Sequence, residues 1–480
     1  MVFLKKYLIR WMSVLLTLLM LMTLFACGGH GQTNQTNETS GEPTAFQTTT
    51  SALPALSFLN EDGEARFSVI RPDKASQQVV RAGIAVHEAM GERFGVSHKL
   101  ASDFLMPKQT IEQFADQYEI LIGETNRPES AQIGEGLAAN EYVVTFTGYK
   151  LVLIGGSDAA TYQAVQTFLT LLPGDSAATL LEDGFCLRQT MESGGYLVAL
   201  TNQNGGYLEV YDLSTGVIDD TTLLWSYKTK YNNVCGAKLR QTEPYGQVAM
   251  AVCSSSTYAC MASYPEGKTV WSTESAASGP HSIEWIPCGV IAVASSTGGE
   301  IRFYRPTDSF SENFDATVPF EDAHGVLWDE TNQLLWAIGG KQISAYRVSI
   351  TAEGAVQVSE ETDRRTELPT GGAHDLAPVY GDKDALWITT SSKVYRFQKS
   401  TKTFSTDYDG NGSLNRKAVK GVGNFPDGSI VYIYPDGELK AHTSKSMVFL
   451  RNVDGVLTKE TLVSPTGHFY KVRVWSTDYQ

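Results

Sequence analysis

The sequence predicts a multidomain chain in which a small α+β sandwich is followed by an all-β propeller of about six blades. Three observations carry that prediction. The first is a repeat: His281, His324 and His374 recur 43 and 50 residues apart, and behind each comes an apolar run ("VIAVASS", "LLWAIGG", "ALWITTS") and then a second run carrying Tyr-Arg. The second is constancy within the repeat, since Tyr304, Tyr346 and Tyr395 lie 23, 22 and 21 residues after those histidines. A period of about 40–50 residues made of short strands is that of a four-stranded propeller blade. The third is composition: 43 Gly, 22 Tyr, 20 Phe and 8 Trp favour a turn-rich β protein, and helical periods are confined to the first part of the chain.

Taken in order, residues 1–26 read as a signal peptide. Lys5, Lys6 and Arg10 form a basic start, the stretch from Trp11 to Phe25 is almost wholly apolar, and small residues end it at Ala26-Cys27. "LFAC" resembles a bacterial lipoprotein lipobox, which implies cleavage before Cys27 and a lipid on its sulfur; a plain secretory signal or an uncleaved anchor is the alternative. The expected location is therefore extracytoplasmic, lipid-anchored to the bacterial cell membrane. Residues 27–56 are polar, rich in Thr, Gln, Asn and Gly, and bury too little apolar surface to offset the entropy of ordering, so they read as a disordered tether.

The net charge of −15 excludes partners that depend on a basic surface, nucleic acid and anionic lipid among them. Besides Cys27 there are Cys186, Cys235, Cys253, Cys260 and Cys288, with no CxxC spacing, so no zinc site is read from them. One disulfide or buried free thiols both fit.

Residues 57–190 form the predicted α+β domain. "ARFSVIRP" alternates as a strand, and Val79, Val86, Met90 and Phe94 then fall at helical spacing. "YEILIGETNRPES" is a strand ending in a glycine turn; "EYVVTFTGYKLVLIGGS" reads as a hairpin about Thr147-Gly148; Val165, Phe168, Leu169 and Leu172 give the closing helix one apolar face. This order resembles the non-catalytic N-terminal domain of some glycoside hydrolases, the β-hexosaminidases and α-glucuronidases. The resemblance implies a glycan-related context; the catalytic barrel of those enzymes has no counterpart here.

Residues 194–480 form the predicted propeller. Blade starts near 194, 238, 281, 324, 374 and 420 give six, a seven-bladed ring or a two-sheet sandwich being the alternatives, and "FYKVRVW" is the strand expected to close the ring on the first blade. The innermost strand of each blade lines the central channel, so repeat-equivalent residues face one another. His281, His324 and His374 should meet near one mouth, flanked by Lys238 and Lys420, with Glu284 and Asp375 placed to orient imidazoles.

Three readings of that ring stay open. In the first, each histidine begins a strand and hydrogen-bonds a neighbouring blade, and no ligand is called for. The imidazoles could instead hold a divalent metal (Zn, Mn or Ni) at His281, His324 and His374, or the His and Lys cluster could bind an anionic ligand without metal. The run "PHSIEWIP…GVIAVASS…IRFY" with "AHGVLWDETNQLLWAIG" resembles a family of uncharacterised secreted bacterial propellers. More distantly, a histidine ring in a propeller is similar to that of the oligogalacturonate lyases, which implies metal binding by the same three histidines.

Other motifs are plainer. Asp212 in "YDLSTG" reads as turn chemistry, "DYDGNGS" (407–413) as a hairpin turn rather than a calcium loop, and Trp285, Trp328, Trp336 and Trp387 as core. The function expected from all this is a membrane-anchored binding or scaffold protein that recognises a carbohydrate or cell-envelope ligand at the channel mouth. The alternative is a metal-dependent extracellular lyase or hydrolase acting on anionic oligosaccharide.

Overall fold

The computed structural model describes residues 57–172, 181–191, 195–407, 412–439 and 442–479. The leader, Cys27, the tether and the centre of "DYDGNGS" lie outside the described residues. Two compact units divide between Met191 and Glu192.

The first unit is an α+β fold around one mixed sheet. Its strands are β1 (Ser68–Arg71), β2 (Leu100–Ser102), β3 (Glu119–Ile122), β4 (Glu141–Thr147), β5 (Lys150–Gly155) and β6 (Cys186–Thr190), in the order β2-β1-β3-β5-β4-β6. Pairings among β2, β1, β3 and β5 are parallel, and β4 runs antiparallel to both β5 and β6. Three helices complete it: α1 (Gln77–Phe94), α2 (Pro128–Gly134) and α3 (Asp158–Leu171).

Local chemistry sets the helix ends. The Ser76 side chain accepts from the Val79 N–H at the start of α1, and Gly95, at φ 70°, ends it in the left-handed conformation that glycine adopts without penalty. Val79, Val86 and Met90 of α1 and Val165 and Phe168 of α3 are buried against Val69, Ile120, Val144 and Leu153, so the faces read from spacing are the ones that pack. Among the described residues no helix is long and apolar enough to cross a membrane.

The second unit is a six-bladed propeller. Five blades begin with inner strands Val234–Thr242, Pro280–Ile286, Ala323–Asp329, Ala373–Pro378 and Gly421–Asn424, each followed outward by antiparallel neighbours. The sixth sheet closes the ring: Phe469–Val474 pairs antiparallel with Leu197–Asn202, the second strand of the first blade. The closing strand is thus the innermost strand of the blade whose other three strands come first in the unit.

Apolar residues on both faces of each sheet fill the spaces between blades. Trp285, Trp328, Trp336 and Trp387 are all buried there, and the Asp212 side chain accepts from the Ser214 N–H at 2.8 Å, a turn as expected. Cys235, Cys253 and Cys260 are buried free thiols, Cys288 is free and exposed, and Cys186 is disulfide-bonded. At one end of the channel the C-terminal tail folds inward: Tyr479 donates to the Trp285 carbonyl at 3.2 Å, and the Arg240 guanidinium lies 4.4 Å from the centre of its ring.

Candidate functional site

The site grows from one backbone step repeated around the hub. Asn233, Gly279, Asp322, Gly372 and Ala418 have φ of 58°, 68°, 51°, 72° and 63°. Each lies two residues before a position at the channel mouth, occupied in turn by Cys235, His281, His324, His374 and Lys420. At the first four the strand register slips by one residue, a bulge that re-aims the side chain. The closing strand slips between Phe469 and Val472, and Tyr470 joins the ring there.

The three histidines named from the sequence do converge. The His281 and His324 ring centres are 4.4 Å apart, and those of His324 and His374 are 5.7 Å apart. The left-handed step also fixes two tautomers. His281 Nδ1 lies 2.8 Å from the Gly279 carbonyl and His324 Nδ1 lies 2.9 Å from the Asp322 carbonyl. A carbonyl only accepts, so Nδ1 carries the proton and Nε2 is left as an acceptor without a protein partner among the described residues. His374 is turned differently: its Nε2 accepts from Lys420 Nζ at 2.9 Å, and its Nδ1 is buried without a partner among the described residues.

A cavity of about 280 Å³ opens here, lined by Gln203, Asn233, Ser254, His281, Lys420, His442 and Tyr470. Only His281 and Lys420 of that lining were among the residues singled out in the sequence. Tyr470 escapes the repeat because it sits on the closing strand, and His442 because it lies on a loop outside the inner strands.

Three expectations need correction. Lys238 does not flank the histidines at the mouth: Cys235 holds the ring position in its blade, and Lys238, three residues further along the strand, matches Glu284 of the next blade. There it forms a buried ion pair with Glu284 at 2.9 Å. Glu284 orients no imidazole; it accepts from Arg240 at 2.7 and 3.0 Å as well. Asp375 likewise turns away from its neighbour His374, pairing with Arg473 and, at 3.2 Å, with Lys471. In both cases arginine and lysine from neighbouring strands satisfy the carboxylate more strongly than a neutral ring can.

The electrostatics follow from burial. Burial first, then His324 and Lys471, draws the His281 pKa down to about 3; burial, Lys420 and His324 do the same for His374. Both rings are therefore neutral at ordinary pH. Burial and then Lys471 draw Lys420 down to about 8, and burial pushes the Cys235 thiol up to about 12, so it offers no thiolate. Burial pushes the Glu284 and Asp375 carboxyls up, but the adjacent cations prevail and hold both below the usual range.

These shifts predict acid sensitivity. Above 6.5, the ordinary imidazole value, both rings are neutral whether the chain is folded or not, and they contribute no pH dependence. Below it the unfolded chain takes up protons that the folded hub refuses, so stability should fall steadily as pH drops from 6.5 toward 3, by a few kcal/mol in order of magnitude at pH 5. Thermal melts across that range check it. The double variant His281→Gln, His374→Gln should flatten the slope, and an unaltered slope would count against the burial argument.

Among the described residues no group of three or more His, Cys, Asp or Glu side chains is arranged to hold a metal ion. The chemistry of the donors gives the reason: the third imidazole already accepts from an ammonium, which repels a cation and leaves two ring nitrogens rather than three.

Residues 250–446 match a family of unknown function (DUF6528). The matched stretch holds His281, His324, His374, Lys420 and His442, and stops short of the closing strand and Tyr470. None of the curated proteins compared with the chain matches it.

Proposed function

We propose that the propeller is an extracytoplasmic binding module that takes a carbohydrate or other cell-envelope ligand at the channel mouth. One observation carries this reading: a cavity of about 280 Å³ at the hub in which every lining side chain bears a polar group. Its size is at the small end of ligand pockets, which suits one terminal unit of a larger molecule. The two free Nε2 acceptors can take hydroxyl protons, and Tyr470 and His442 offer ring faces, a combination that polyhydroxy ligands use well.

The basic leader, apolar run and Cys27 support anchoring at the outer face of the membrane through lipid. Metabolic labelling with palmitate, lost in Cys27→Ser, tests that part and separates a lipidated cysteine from one held in a disulfide. For the binding site, a glycan array probed with the purified full chain should give hits, and His281→Ala should weaken each at least tenfold, about 1.4 kcal/mol. Hits that survive His281→Ala unchanged would place binding elsewhere.

A further inference from the structure

We infer that the ligand of this mouth is an acidic sugar, bound through a carboxylate on Lys420 with its hydroxyl groups donating to the free imidazole nitrogens. The inference rests on the binding reading above and adds the chemical class. It begins with the hub's cations. Four of them are compensated in place: Lys238 and Arg240 by Glu284, Lys471 and Arg473 by Asp375. Lys420 is different. It lines the cavity, makes no ion pair among the described residues, and has only the neutral His374 Nε2 at 2.9 Å and the Tyr470 ring at 6.0 Å.

The surroundings sharpen the asymmetry. Five basic side chains line this buried channel against two buried carboxylates, in a chain whose net charge is −15. Basic groups gathered in a low-dielectric channel of an acidic protein focus a positive field at its mouth, which draws anions in. Burial holds Lys420 close to losing its proton, and a bound anion would reverse that.

Geometry selects among anions. A single uncompensated ammonium suits one negative charge, whereas phosphate recognition typically recruits several donors or an arginine fork. Near that ammonium the mouth offers two unengaged acceptors, His281 Nε2 in the cavity wall and His324 Nε2 on the adjoining ring. Acceptors next to a lone cation ask for a ligand that bears hydroxyls beside its carboxylate.

The groups that face Lys420 are His374, His281, His442, Tyr470 and Lys471, and Asp322 acts on the neighbouring His374. Since the ammonium must be protonated to hold the anion, affinity should weaken as pH rises through about 8.

The test uses array hits as matched pairs, each acidic sugar against its methyl ester, titrated calorimetrically on the full chain. We expect the acid to bind at least tenfold tighter than the ester at pH 7, with most of that advantage gone at pH 9.5. Lys420→Met should abolish the preference for acid over ester, and Lys420→Arg should keep it. Equal binding of acid and ester, or a preference that survives Lys420→Met, overturns the carboxylate assignment while leaving the binding module intact. Sulfated or phosphorylated sugars binding as well as the acids would overturn the choice of carboxylate. A chain that binds no glycan of either kind overturns both proposals together.

Discussion

A chain that stops after Pro465 should fail to fold its propeller. It lacks Phe469–Val474, the inner strand whose partners Asn202, Leu200, Ala199 and Val198 would lose their ladder bonds. Phe469 and Val472 are fully buried, and Trp475 stacks on Trp225 with ring centres 6.2 Å apart. Losing a few such side chains removes about 1.5–3 kcal/mol each. Asp375 would also lose both basic partners at about 3–5 kcal/mol, and with three such side chains the total of about 8–14 kcal/mol matches the roughly 5–15 kcal/mol by which domains are stable. Gel filtration and near-ultraviolet circular dichroism would register the collapse. A monomeric truncated chain with native dichroism and an unchanged melt would refute the closure.

The second large effect concerns Asp375 alone. Asp375→Ala should cost about 3–5 kcal/mol, because it leaves a fully buried lysine and a nearly buried arginine facing each other without a counter-charge. For a unit of this size that is a fall in melting temperature of about 5–8 °C. Glu361→Ala is the internal control: its partner Arg347, at 3.0 Å, is exposed, and such surface pairs are worth about 0–1 kcal/mol. Replacing Asp375, Lys471 and Arg473 together by apolar residues should recover much of the loss. If Asp375→Ala behaves like the surface control, the buried network is not what braces the hub.

The repeat made the blades legible from the sequence because strand, turn and strand recur with one aromatic landmark, and the structure repeats them. The meeting of the three histidines followed from the same periodicity. What the sequence concealed was register and partnership. The equivalent bulged residues Cys235 and His281 stand 46 residues apart rather than 43, so counting back 43 residues from His281 reached Lys238 when the equivalent residue was Cys235. The carboxylates looked like partners of adjacent rings, yet Asp375 reaches Arg473, 98 residues away, through ring closure. Neither spacing nor composition encodes that contact.

The five left-handed steps at the mouth carry a thiol, three imidazoles and an ammonium on the same backbone. Such a socket is indifferent to what it holds. Substitution at Cys235, His281, His324, His374 or Lys420 therefore changes the chemistry presented at the mouth, while the turn that aims the side chain is set two residues earlier in the chain.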